Sequence, residues 1–116
     1  MKLLHVTIQT DRFEEELHFY QEIAGLRIIR DMREHGRNMI FLADRSGECE
    51  IEIIENPNAQ KIESQSVSIG FQTEDVTKKY EELRALGYDV GEMIRPNPHV
   101  QFFFVKDPAG LNVQFM

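Results

Sequence analysis

The sequence predicts an α+β fold in which two βαβββ modules build a curved mixed sheet around a cavity, with helices on the outer face. Three observations point there. An ordered set of periodic segments occurs twice along the 116 residues. Each copy holds one amphipathic helix that stops at a glycine. Each copy also closes on two strands joined by a turn bracketed by aspartate and glycine. A single module would leave one sheet face uncovered by its lone helix, whereas two modules can extend the sheet and enclose a space.

The first strand, "HVTIQT", alternates: Val6 and Ile8 share one face, and His5, Thr7 and Gln9 share the other. Its counterpart "SVSIGF" places Val67 and Ile69 in the same way. Asp11 with Glu14 resembles a capping box for the first helix, and Thr73 or Asp75 can cap the second. Phe13, Leu17, Tyr20 and Ala24 form one apolar stripe; Val76, Tyr80 and Leu83 form the other. Gly25 and Gly87 end the two helices, as left-handed caps do. Strands "LRIIRDM" and "YDVGEMI" follow.

The later parts also match. "MIFLADRSGECEIEII" parallels "FFFVKDPAGLNVQFM", with turns at Asp44–Gly47 and Asp107–Gly110. The polar stretch "ENPNAQKIES" reads as a linker. A single domain results, with module 1 at about 1–56, a linker at about 57–64 and module 2 at about 65–116.

Composition narrows the partners. A net charge of −7, from 20 acidic against 13 basic residues, disfavours nucleic acid and an anionic membrane surface. Cys49 stands alone, so an intramolecular disulfide and a CxxC zinc site are both excluded. No apolar run approaches the roughly 20 residues of a spanning helix. His5 and Gln9 interrupt what would be the apolar core of a signal peptide. A cytoplasmic protein is expected.

Several side chains are candidates for chemistry. His5 lies on the polar face of its strand, and Glu52, alternating with Ile51 and Ile53, faces away from the helices along with Glu50. Each is either a satisfied polar group or part of a site; Glu52 could serve as a base. Phe102, Phe103 and Phe104 are consecutive, so at least one points to the core and one to the cavity; Phe103 is a candidate substrate contact. Arg95 and His99 lie in the proline-rich loop "RPNPHV" and could meet an anionic substrate. His18 and His35 read as surface residues, and acidic neighbours of Cys49 argue against a reactive thiol.

The segments "HVTI", "FYQEIAGLRI", "EIEIIENP" and "FFFVKDPAGLNVQF" together resemble the vicinal oxygen chelate superfamily. That superfamily includes glyoxalase I, bleomycin resistance proteins, extradiol dioxygenases and fosfomycin resistance enzymes. The resemblance spans nearly the whole chain and identifies the fold better than the reaction. It implies a single divalent metal (Zn, Ni, Mn or Fe) in the cavity. The ligand positions fall on His5, Glu52, Ser66 and Gln114. Ser66 stands where the family usually has an imidazole, so the metal is either present on an incomplete set or absent.

By the same resemblance, Glu52 or an open-site water is the base of a lactoylglutathione-lyase-type or related reaction, and the proline-rich loop with Arg95 and His99 borders the cavity mouth. Substrate contacts are expected at Ser66, Phe103, Arg95 and His99. The alternative is a metal-free small-molecule or drug-binding protein of the bleomycin-resistance kind. The substrate in either reading is a small molecule. A homodimer is expected, because two small modules leave sheet edges open.

Overall fold

Alternation in the first strand and in the opening "EIEI" of "EIEIIE" makes both segments half-buried strands, and they pair directly. In a computed structural model covering Met1–Met116, the chain forms two units, Met1–Lys61 and Ile62–Met116. Each is a βαβββ arrangement.

Unit one contains β1 (His5–Thr10), β2 (Arg27–Asp31), β3 (Met39–Ala43) and β4 (Glu50–Glu55), in the order β1-β4-β3-β2. The β1–β4 pair is parallel, with His5 opposite Glu50 and Thr7 opposite Glu52. The other pairs are antiparallel. One face carries Ile8, Ile40, Leu42, Ile51 and Ile53, all buried. Helix α1 (Phe13–His18) packs against β4.

The helix start differs from the capping box expected at Asp11 and Glu14. Arg12 is the N-cap and no side chain caps the helix. The Thr10 hydroxyl instead accepts the Arg12 N–H at 3.0 Å, setting the turn from β1. After His18 the chain widens into a π-helical turn, Phe19–Ile23, where Ala24 N–H reaches the Phe19 carbonyl five residues back. Phe19 and Tyr20 are both fully buried, edge to face at 5.1 Å. Gly25, at φ 73°, reverses the chain, and Leu26 N–H bonds the Tyr20 carbonyl six residues back, one residue longer than a Schellman closure.

Strand β2 pairs with β3 through a bulge. Arg27 and Ile28 oppose Ala43 and Leu42; Ile29 is extra; Arg30 and Asp31 then oppose Phe41 and Ile40. Beyond the bulge, Asp31 accepts hydrogen bonds from the Arg33 guanidinium and its backbone N–H, closing a 3₁₀ turn at Arg33–His35.

Unit two contains β5 (Ser68–Phe71), α2 (Val76–Ala85), β6 (Ile94–Asn97), β7 (Val100–Lys106) and β8 (Asn112–Phe115), in the order β5-β8-β7-β6. Asp75 caps α2, accepting the Lys78 N–H at 3.0 Å. Of the segment expected as strand "YDVGEMI", Val90 forms a single bridge to Val105 and Ile94 begins β6. The expected proline-rich loop is instead strand β6, containing Arg95 and Pro96, with His99 in the turn to β7. Pro96 is tolerated because β6 is an edge strand.

Phe103, Val105, Val113 and Phe115 form the buried face of unit two. Phe103 meets the α2 ring of Tyr80 at 5.2 Å and stacks on Phe115 at 5.7 Å. Phe102 and Phe104 take the opposite face. Phe103→Ala will therefore cost about 3–5 kcal/mol, read as a lower urea midpoint. The same change at half-buried Phe104 will cost less.

Arg33 holds the Asp31 carboxyl at about 2, below its ordinary 3.8, chiefly through the side-chain hydrogen bond and then through the backbone one. The folded value is the lower one. The contribution to stability is thus complete above about pH 4 and disappears as pH falls through about 2. Carboxyl-detected NMR will show this low midpoint in the native chain, and Arg33→Gln will move it up toward 3.8.

Candidate functional site

Opposite the apolar layer, the second face of the unit-one sheet gathers polar groups. Alternation places His5 and Thr7 of β1 and Glu50 and Glu52 of β4 on this side, together with Phe41 of β3, which opposes Glu52. Thr7 lies directly across from Glu52 and donates its hydroxyl to Glu52 Oε1 at 2.6 Å. His5 Nε2 approaches the same oxygen at 3.6 Å. The Glu52 side chain is 11% exposed and that of His5 is 36% exposed. A carboxylate this well covered is costly without partners; the Thr7 hydroxyl supplies one and fixes its orientation.

Phe41 is the floor beside the pair. The His5 ring meets it edge-on at 5.8 Å. The Arg30 guanidinium lies over its face at 4.1 Å, and Arg30 Nη2 is 3.7 Å from Glu50 Oε2.

The structure brings His5 and Glu52 together, but Ser66 and Gln114 do not form a matching pair. Ser66 precedes β5, in an exposed bend where its backbone N–H bonds the Ser64 hydroxyl. Gln114 opposes Gly70, four residues further on. There its Oε1 sits 3.3 Å from where a Cβ on residue 70 would be, so the missing side chain makes room for the amide. Arg95 donates to Gln101 Oε1 at 3.1 Å, and the His99 backbone N–H is turned onto Asn97 Oδ1 at 2.8 Å. Both residues are exposed. Phe103, expected as a substrate contact, belongs to the core because its strand position points under α2.

Thr7 and Arg30 were not among the expected site residues. Thr7 was within reach, since it shares the parity of His5. Arg30 was not, because the bulge shifts its parity.

The profile of the Glyoxalase/Bleomycin resistance protein/Dioxygenase superfamily matches residues 2–115. The chain belongs to that superfamily. It is 27% identical over 124 aligned residues to a lactoylglutathione lyase of Haemophilus influenzae, covering 100% of this chain and 92% of that protein. Among solved structures it resembles the trypanothione-dependent glyoxalase I of Leishmania major, with a TM-score of 0.76 at 20% identity, over 100% of this chain and 86% of that one. It also resembles a fosfomycin resistance protein of Listeria monocytogenes, with a TM-score of 0.76 at 19% identity, over 99% and 91%. These likenesses establish a shared fold. No helix is long and apolar enough to cross a membrane.

Superfamily membership raises the question of a divalent metal. No group of three or more His, Cys, Asp or Glu side chains is gathered to hold one. His5 and Glu52 nevertheless fit as two donors. Bonds of about 2.1 Å to tetrahedral zinc put neighbouring donors about 3.4 Å apart, and Nε2 and Oε1 stand at 3.6 Å. Thr7 supplies the outer hydrogen bond that orients a ligating carboxylate. By their chemistry alone, the Gln114 amide and the Ser66 hydroxyl are weak metal donors.

Thr7→Val removes the hydroxyl that satisfies Glu52 and will destabilise the chain by about 1–3 kcal/mol. Thr7→Ser will retain most of that stability. Urea unfolding with unchanged m-value separates the two.

Proposed function

We propose that this chain is a glyoxalase-type enzyme acting on a small molecule with two adjacent oxygens, at the His5–Thr7–Glu52 face of unit one. The observation that carries the reading is the Thr7–Glu52 hydrogen bond beside His5, which pre-orients a buried carboxylate next to an imidazole. The lactoylglutathione lyase names of relatives matched along the whole chain support it.

In this reading Glu52 takes a proton from the carbon next to a carbonyl and returns it to the neighbouring carbon, isomerising a hemithioacetal of a 2-oxoaldehyde. Thr7 keeps the carboxylate aimed through both transfers. His5 and Glu52 would hold the divalent ion. When bound, that ion supplies Lewis-acid polarisation of the two substrate oxygens. The chain works as a cytoplasmic homodimer, in keeping with the open edges at β1 and β5.

A second reading, a metal-free small-molecule or drug-binding protein, is favoured by one observation: Ser66 and Gln114 make poor ligands, and Ser66 lies before β5 while Gln114 opposes Gly70 within it. The experiment loads the purified chain in turn with Ni, Zn, Mn and Fe, measures bound metal, and assays the hemithioacetal of methylglyoxal. Expected are one metal per site, its loss in His5→Ala, and a fall in kcat of about 10²–10⁴ in Glu52→Gln. Absence of both metal and turnover in every loading would establish the binding protein instead.

A further inference from the structure

The bulge in β2 decides which side chain from that strand reaches the site face. Continuous alternation from Ile28, which opposes Leu42, would set Ile29 against Phe41 and Arg30 against Ile40. Arg30 would then point into the fully buried layer that holds Ile40 and Leu42. The extra residue at Ile29 changes the phase, so that Arg30 opposes Phe41 instead. A bulge gives up a ladder pairing, and bulges recur where a strand must re-aim a side chain.

We propose that Arg30 is an anion anchor on this face, and that the substrate carries a carboxylate next to its paired oxygens. This deepens the reading above and rests on it for which side of the sheet meets substrate.

The geometry suits that task. The guanidinium carbon lies 4.1 Å from the centre of the Phe41 ring, and the Arg30 side chain is 59% exposed, so solvent and a ligand can reach its planar fork. Its Glu50 partner, with a side chain 20% exposed, stands 3.7 Å away, beyond hydrogen-bond length. An ion pair this long, with an exposed guanidinium, contributes little to stability, so the pair does not account for the bulge. The same Phe41 ring meets His5 along its edge. A ligand carboxylate paired with Arg30 would extend its neighbouring atoms across Phe41 toward His5 and Glu52. Without Arg30, the carboxylates of Glu50 and Glu52 would repel such a ligand; with it, a bidentate pair selects for one.

Two probes that differ only at the carboxylate test the proposal. Pyruvate and hydroxyacetone share a methyl ketone, but one ends in a carboxylate and the other in an alcohol. Binding is followed by NMR through the Arg30 side-chain N–H and the Arg30 and Phe41 amides. The native chain is expected to bind pyruvate about tenfold more tightly than hydroxyacetone, the effect of a charge-assisted hydrogen bond. Arg30→Gln will erase that preference, Arg30→Lys will keep part of it, and Glu50→Gln will strengthen it. Equal binding of the two probes, absence of pyruvate binding, or a preference that survives Arg30→Gln would overturn the proposal. His5→Ala separates the two readings: it abolishes metal and turnover, while the pyruvate preference carried by Arg30 remains.

Discussion

The parallel pairing of β1 with β4 is the constraint on which the candidate site depends. It joins the first and last strands of unit one, so residues from opposite ends of the module become neighbours on one sheet face. Parallel strands require a long crossover between them. Helix α1, the π-helical turn, β2 and β3 supply it, and α1 lies back on β4. Once the register is set at Thr7 opposite Glu52, the 2.6 Å hydrogen bond follows from a threonine and a glutamate being one strand apart. A slip of one residue would turn His5, Thr7 or Glu52 into the apolar layer.

Unit two repeats the topology without repeating the chemistry. Its parallel pair, β5 with β8, sets Gly70 rather than a hydroxyl across from Gln114. The amide leans into the space above the glycine, and nothing there matches the hydroxyl–carboxylate–imidazole cluster of unit one. The duplicated architecture thus provides two equivalent sheet faces, only one of which carries a buried carboxylate with an oriented partner.

Much of the fold was legible because its signals were local. Gly25, Gly47, Gly87 and Gly110 all adopt positive φ, where the terminal and turn glycines were expected. Asp75 caps its helix through an ordinary short-range hydrogen bond. The shared face of His5 and Glu52 followed from the alternation around each of them. Legibility failed where alternation failed. Three consecutive phenylalanines carry no period, so only pairing with Phe115 reveals that Phe103 is the core member. Arg30 changes sides at a bulge that no residue type in "LRIIRDM" announces. The two prolines of "RPNPHV" suggested a loop, because an edge strand and an irregular segment tolerate proline equally. Ser66 keeps the parity of Ser68 but lies before the strand begins.

The π-helical turn has a consequence for how the two halves have drifted apart. Thirteen positions separate the N-cap Arg12 from Gly25, whereas twelve separate Asp75 from Gly87. A helix lengthened by one residue would ordinarily rotate its exit by about 100° and misdirect everything downstream. Widening a single turn absorbs that residue locally, so Gly25 still reverses the chain and Leu26 still closes on Tyr20. Insertions of this kind let one copy of a duplicated module gain length while its strand order stays intact.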